Sequence, residues 1–372
     1  MQELDELHRL TTAVLASAFA AAVVFGAIAQ RTHFCTMGAI ADIVNMGDWS
    51  RMRMWVLAVA VAVLGFNTMV ALEWVQAGNS LYAGPRLSWL SLLCGGLMFG
   101  FGMVLASGCG SKNLVRAGAG NLKAWVVLLV LGLSAFATLK GITAVLRVAT
   151  VDRIGVDLPS GQDLPHLLSG VTGLAVPTLA GWLGLLVAAL LLAWVLRTAP
   201  GRNATVWLGG AGIGGVIVVM WWISGRLGFV AEHAQTLEPT FLATNSHNME
   251  SMSMVAPVGF ALDWLLFFSD QSKTLTIGIV SMAGVVVGSA LMALASREFR
   301  WEGFANVEDT ANHLAGGVLM GVGGVSALGC TIGQGLSGIS TLSLGSMLAI
   351  AAIVTGGIAG LRYQIWRMDR LA

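Results

Sequence analysis

The chain has 372 residues, of which 56% are hydrophobic and 10% charged, with a formal net charge of +1 and a mean hydropathy of +0.80. Soluble domains carry about 25% charged residues, so this composition excludes a soluble enzyme, and the near-zero net charge offers no basic field for nucleic acid. Glycine, at 48 residues, is about twice its ordinary usage, which in membranes favours close helix packing and interrupted helices.

The head, "MQELDELHR", is acidic where a cleaved signal needs positive charge, so the apolar run 11–29 reads as the first membrane helix. Further runs of spanning length cover 54–72, 88–107, 122–146, 171–196, 205–224, 274–296, 312–329 and 341–361, and 255–269 is too short for a full crossing. The expectation is an all-α polytopic integral membrane protein, with about nine transmembrane helices plus short re-entrant half-helices and no linker that would separate domains. Arg31, Arg51 and Arg53 in the loop 30–53, and Arg362, Arg367 and Arg370 at the C-terminus, point both segments to the cytoplasm. The loop 225–254, with Glu232, Glu238 and Glu250, points outward. The N-terminus is then periplasmic, and an odd number of crossings follows.

There are four cysteines, Cys35, Cys94, Cys109 and Cys330, in no CxxC or metal-ligand spacing. Two of them end a repeat. "GGLMFGFGMVLASGC" (95–109) lies over "GGVLMGVGGVSALGC" (316–330), with Gly95, Gly96, Gly100, Gly102, Gly108 and Cys109 falling on Gly316, Gly317, Gly321, Gly323, Gly329 and Cys330 at a constant offset of 221 residues (330 − 109). A fainter echo sets "ALASREFR" (293–300) against "AIAQRTHF" (27–34), where Arg31 matches Arg297 and Cys35 meets Trp301. Duplicated halves with interrupted apolar segments mark transporters built from structural repeats. Here the halves read as about 1–146 and 255–361, a pseudo-symmetric pair within one transporter domain, joined by a less diagnostic middle region 147–254.

After each Gly-Cys pair the sequence cannot continue as a lipid-facing helix. "GSKNLVRAGAG" carries Lys112, Asn113 and Arg116, and "TIGQGLSG" carries Thr331, Gln334 and Ser337. Polar groups and broken backbone at bilayer depth must face a cavity or be buried in protein. Each pair therefore starts a half-helix whose N-terminus, with free N–H groups and about half a positive charge, points at the midplane. Two such tips make an anion site, supported by Gly108, Gly110, Ser111, Lys112, Arg116, Gly329, Thr331, Gly333 and Gln334. A protonated thiol is a weak donor and acceptor, matched to a soft partner such as another sulfur, so the site suits an anion with a sulfur end. Cys94, inside an apolar run, reads as a small packing residue. "FCTMGAIADIV" reads as a re-entrant segment with Cys35 near its tip, His33 as a packing or interfacial residue, and Asp42 as a cap or a partner for an arginine.

Two other chemistries are open. A membrane sulfurtransferase would form a persulfide on a cysteine activated by a nearby cation, and only Lys112 and Arg116 beside Cys109 offer one. A soft-metal transporter would use His247, Met249, Met252 and Met254 of "SHNMESMSM", whose imidazole and thioether groups suit Cu(I); an interfacial turn explains the same residues. No GxxxxGK[ST] motif supplies ATP hydrolysis, and no cofactor or bound metal is expected.

The segments "QRTHFCTMGAIAD", "GGLMFGFGMVLASGCGSKNLVRAGAG", "SREFR" and "GGVLMGVGGVSALGCTIGQGLSG", in this order, resemble the YeeE/YedE family, the thiosulfate-transporter-like group of membrane proteins. The resemblance implies an hourglass-like helical fold with re-entrant segments meeting at a constriction. It also implies a permease in a bacterial inner membrane, with thiosulfate relayed by S–H···S contacts along Cys35, Cys109 and Cys330. Some relatives are assigned to other sulfur or selenium compounds, and a cytosolic TusA-like sulfurtransferase is the partner the resemblance suggests, besides membrane lipids.

Overall fold

A computed structural model describes residues 2–232, 237–270 and 272–371; part of the loop 225–254, namely 233–236, lies outside the described residues. In chain order the helices are α1 (Gln2–Thr32), α2 (Thr36–Met46), α3 (Ser50–Ala71), α4 (Trp89–Leu105), α5 (Gly110–Gly118), α6 (Leu122–Lys140) and α7 (Ile142–Ala149). They continue with α8 (Leu164–Thr172), α9 (Val176–Leu196), α10 (Ala204–Trp222), α11 (Ala256–Leu266), α12 (Ile277–Ala295), α13 (Val307–Ser326) and α14 (Leu344–Leu371). Two π-helical turns, Ile223–Leu227 and Gly333–Gly338, follow α10 and α13. The strands named among the described residues form two small antiparallel ladders, Arg86–Leu87 with Val156–Asp157 and Phe229–Val230 with Thr240–Phe241.

Eight stretches among the described residues are long and apolar enough to cross a bilayer. The helix α13, expected as a span, is not among them, because its first turn carries Glu308 and Asp309. It lies between α4 and α6, in contact with both. The run 255–269 holds only the eleven-residue α11, as its length required. The run 122–146 is not one span: α6 stops at Lys140, and Gly141, with φ −105° and ψ −153°, turns the chain into the amphipathic α7. An apolar run does not reveal where its backbone bends.

Glycine sets the packing. A Cβ at Gly95 would sit 2.7 Å from the Gly323 carbonyl oxygen, and one at Gly323 2.6 Å from that of Gly95. Gly102 and Gly316 face each other in the same way, at 2.9 and 2.6 Å. So α4 and α13 cross antiparallel, backbone on backbone, through equivalent glycines of the repeat. Gly96 packs on Ala349 and Ala352 of α14, and Gly317 on Val127 and Val130 of α6, so each helix of the pair also carries the other's following crossing.

A second set repeats this arrangement. Gly26 and Gly288 seat α1 parallel to α12, Gly210 and Gly214 seat α10 parallel to α3, and Gly212 meets Ile28 where α10 crosses α1 antiparallel. The helices α1 and α12 are thus parallel neighbours. Helices exchanged by the symmetry that pairs α4 with α13 must run in opposite directions, so the echo between 27–34 and 293–300 does not mark equivalent positions. Alternating directions bring Thr32 and the end of α14 out on one face. The Arg-rich 30–53 loop and the C-terminal arginines therefore share a face, where Arg367 also pairs with Glu308 at 2.8 Å.

Replacing Gly102 or Gly316 with valine forces carbonyl and Cβ together, an overpacking that costs about 1–3 kcal/mol or more. Both variants are expected to melt lower in detergent and to give less monodisperse protein. Gly170→Ala, on α8 with open space around it, is expected to match or slightly exceed wild type, because alanine favours helix over glycine.

Candidate functional site

Three thiols stand at helix starts. Cys35 is the N-cap of α2, and its Sγ accepts the Gly38 N–H at 3.3 Å. Cys109 is the N-cap of α5 and makes no side-chain cap bond; its Sγ lies 3.2 Å from Ser111 Oγ. Cys330 precedes the π-helical turn Gly333–Gly338 and accepts the Gly333 N–H at 3.5 Å. Serine, aspartate and asparagine are the strong caps, whereas a thiol accepts weakly. Cysteine at these positions leaves the first-turn N–H groups with donor capacity to spare.

The turn before each cysteine is built alike. His33, Ser107 and Leu328, each two residues upstream, hold φ of 52°, 54° and 54°. The next N–H then reaches back five residues: Phe34 to Ala29 at 3.2 Å, Gly108 to Met103 at 2.8 Å and Gly329 to Gly324 at 2.8 Å. This is the Schellman closure, made here on non-glycine residues at a cost of about 1–2 kcal/mol each. It reverses the chain, so the cysteine re-enters the protein instead of leaving the membrane. Glu73 and Arg297 close α3 and α12 with the same left-handed residue, but no cysteine follows them.

Cys35, Cys109 and Cys330 are 9%, 1% and 0% exposed. The segment Met252–Met254 packs between the tips. A Cβ at Gly110 would meet the Met254 carbonyl oxygen at 2.8 Å, one at Gly333 would meet Ser253 Oγ at 2.8 Å, and Ser337 Oγ donates to the Met252 carbonyl at 2.8 Å. At 110 a Cβ would meet backbone, so glycine is required there, whereas at 333 it would press the side chains of Ser253 and Tyr82. Gly108 and Gly329 are the hinge residues just before the thiols, backed by Lys112 and Gln334 side chains.

Four buried side-chain oxygens in these tips have no hydrogen-bond partner among the described residues: Thr36 Oγ1, Thr331 Oγ1, Asn113 Oδ1 and Gln334 Oε1. An unmet buried polar group costs about 1–3 kcal/mol, so their clustering beside the thiols marks a polar site. The carboxamides are fixed by their other end. Asn113 Nδ2 donates to the Gly108 and Cys109 carbonyls at 2.9 and 3.1 Å, and Gln334 Nε2 to that of Ala327 at 2.6 Å. Asn113 falls on Gln334 at the repeat offset (334 − 113 = 221), a correspondence the Gly-Cys alignment could have supplied had it been carried four residues further.

The predicted residues do not all converge. Ser111, Lys112, Thr331 and Gln334 are in or beside the first turns, and the Lys112 side chain packs over Gly108. Arg116 is not at the tip. It lies in the last turn of α5, donates to the Ser107 carbonyl at 3.2 Å and approaches Glu302 at 3.9 Å, where its charge complements the helix C-terminus. Cys94 is half-buried on α4, one residue before the Gly95 crossing. Met249, Met252 and Met254 are 0–1% exposed; Met249 fills the space over Gly225, and Met252 and Met254 brace the tips through their carbonyls, which is a packing role. The second break differs from the expected half-helix: Ser337 N–H bonds the Ile332 carbonyl in a wide π turn, with Gly335 pressed by Trp55 and Gly338 by Ser346.

A cavity of about 240 Å³ lies beside the second break. Leu328 and Gly329 line it, together with Tyr82, Arg147, Glu250 and Ser253. Arg147 is held by Asp152 at 3.1 Å.

The comparisons with known proteins cover the same ground. The thiosulfate transporter TsuA of Escherichia coli (strain K12) is 26% identical over 340 residues, 89% of each chain. TsuA of Spirochaeta thermophila is 27% identical over 343 residues, 89% of this chain and 93% of the relative. The probable transporter YedE of Salmonella typhimurium is 32% identical over 103 residues, 28% of this chain and 24% of the relative. The family described as sulphur transport matches residues 31–359, from just before the first thiol to the middle of α14, and the chain belongs to that family.

Proposed function

We propose that the protein is a permease that takes up thiosulfate, or a closely related sulfur anion, past Cys35, Cys109 and Cys330. The observation that carries this is the convergence of three weakly capped thiols with buried, unpartnered oxygens at re-entrant tips. Thiosulfate has one soft sulfur end and three hard oxygens. The S–H groups match the first, and the hydroxyls of Thr36, Ser111 and Thr331 with the first-turn N–H groups match the second. The relatives over 89% of the chain are named thiosulfate transporters.

The helix pairings favour two inverted halves, α1–α6 and α10–α14, with α7–α9 as connector. The second half then begins at α10, before residue 255, because α10 packs on α3 as α1 packs on α12. The Arg-rich face is the cytoplasmic one by the positive-inside rule, in a bacterial inner membrane, with the N-terminus periplasmic. Uptake of a dianion against an inside-negative potential costs about 2.3 kcal/mol per charge per 100 mV. Consumption on the Arg-rich side, by a TusA-like sulfurtransferase as partner, would draw the anion inward. A persulfide mechanism on this chain fits less well: relatives are named as transporters, and Cys109 and Cys330, at 1% and 0% exposure, are beyond the reach of a protein acceptor.

In proteoliposomes loaded with the purified protein, Cys109→Ser and Cys330→Ser are expected to cut labelled thiosulfate uptake at least about tenfold, because a hydroxyl keeps a donor but loses the soft contact worth roughly one charge-free hydrogen bond. Cys94→Ala is expected to stay within about twofold of wild type, since the side chain only packs. Serine variants that transport at full rate would show that any small donor serves and that sulfur recognition lies elsewhere. A mass gain of one sulfur on a cysteine after turnover would favour the sulfurtransferase instead.

A further inference from the structure

The offset that joins the two Gly-Cys tips also joins α2 to α11. "MGAIAD" (37–42) and "VGFALD" (258–263) share Gly38 with Gly259 and Asp42 with Asp263, each 221 residues apart (259 − 38 and 263 − 42). The shared aspartates are buried, at 8% and 5% exposure, and each holds a cation from the segment that opens the next crossing. Asp42 Oδ2 is 3.1 Å from Arg51 Nε at the start of α3. Asp263 Oδ2 is 2.7 Å from Lys273 Nζ, just before α12, and 3.5 Å from Lys140 Nζ at the end of α6. Because α3 and α12 start on opposite faces, one pair stands at each end of the path.

Both cations have access to a route for anions. The Arg51 guanidinium covers the first turn of α2: its Nη1 is 2.6 Å from where a Gly38 Cβ would be, and the Gly38 N–H is the group that binds Cys35 Sγ. Lys140 and Lys273 line a cavity of about 530 Å³ together with Asp263, His247 and the hydroxyl of Thr276. That cavity shares Leu139, Asn245 and Phe260 with the one lined by Gly329, the residue before Cys330. The two ammonium groups share the buried carboxylate of Asp263, with the exposed Asp270 also beside Lys273, and a carboxylate that is already shared is an exchangeable partner for a doubly charged anion.

We propose that Lys273 with Lys140 at the outer mouth, and Arg51 at the inner mouth, are equivalent stations for the dianion. Each is positioned by the buried aspartate of its half-helix and hands the anion to, or takes it from, the adjacent thiol. The proposal rests on the permease reading and adds the residues by which a doubly charged sulfur oxyanion enters and leaves. An ion pair that served only as a strut between half-helix and crossing helix would lack this sidedness.

The test is thiosulfate transport in proteoliposomes, with KM measured separately from each face and each variant checked for an unchanged elution profile in detergent. The double variant Lys140→Gln, Lys273→Gln is expected to raise KM from the outer face about tenfold, with the maximal rate within about twofold and the KM from the inner face unchanged. Arg51→Gln is expected to do the reverse. Lys273→Arg, paired with Lys140→Gln, should recover most of the outer affinity, and higher ionic strength should shrink the difference between wild type and the double variant. Equal losses of rate from both faces, or no recovery by arginine, would overturn the proposal in favour of struts. If wild type carries thiosulfate and the variants keep its KM, this inference fails while the permease reading stands; if wild type carries none in either direction, both fail.

Discussion

The contact on which the rest of the structure depends is the antiparallel crossing of α4 and α13, made by main chain on main chain at Gly95–Gly323 and Gly102–Gly316. No hydrophobic force draws helices together within lipid, so close van der Waals contact must do so, and only glycine allows it. Because the paired glycines are equivalent in the repeat, the crossing is self-complementary. It fixes the ends of both helices relative to one another, and a thiol follows each end within four residues: Leu105 to Cys109, and Ser326 to Cys330. Because the crossing is antiparallel, those two ends lie at opposite ends of the helix pair, and the reversing turns after them carry Gly110 and Gly333 back onto the one segment Ser253–Met254.

The second constraint is that non-helical backbone at membrane depth must be satisfied by protein. The Schellman closures at His33, Ser107 and Leu328 bond the helix ends internally, and Asn113 and Gln334 take the loose carbonyls of the reversing loops. The bonds still open at the tips are those of the Thr36, Asn113, Thr331 and Gln334 side-chain oxygens. A site that binds and releases an anion needs such open bonds, but few enough that the anion does not stay. On the proposed reading, weak thiol caps and single hydroxyls give that balance. Arg116 reaches the Ser107 carbonyl and Glu302, while the Arg51 guanidinium, paired with Asp42, lies over the first turn of α2.

Much of this was readable from residue types alone. The all-α membrane class follows from run lengths, and the Gly-Cys repeat gives the position of Cys109 and Cys330 because glycine spacing in a packed crossing is under direct steric control. Other features were hidden for physical reasons. Gly141 breaks an apolar run in which Gly132 stays helical, so a glycine in the run does not by itself mark the bend. Arg116 and Lys112 look alike in sequence, but on a nine-residue helix one sits at the start and the other at the end, with opposite relations to its dipole. The equivalence of α2 and α11 leaves just a glycine and an aspartate in common, too little to notice without the 221-residue offset already in hand. The misleading echo at Arg297 reflects a helix-closing turn that α3 and α12 share with the thiol-bearing helices, not a symmetry of the fold.

The central claim is that sulfur at the constriction selects sulfur in the substrate. Sulfate has the charge and nearly the shape of thiosulfate, so the mouth cations and half-helix tips cannot separate the two; only the thiols meet the atom that differs. A terminal oxygen at a thiol loses water contacts that the S–H cannot replace, at about 1–3 kcal/mol for an unmet bond, and two or three stations in series could reach about a hundredfold. The direct measurement is competition during labelled thiosulfate uptake in proteoliposomes. Unlabelled sulfate in about hundredfold excess is predicted to leave the initial rate nearly unchanged, while unlabelled thiosulfate at the same concentration abolishes it. Inhibition by sulfate equal to that by thiosulfate would contradict the account and reduce the three cysteines to packing.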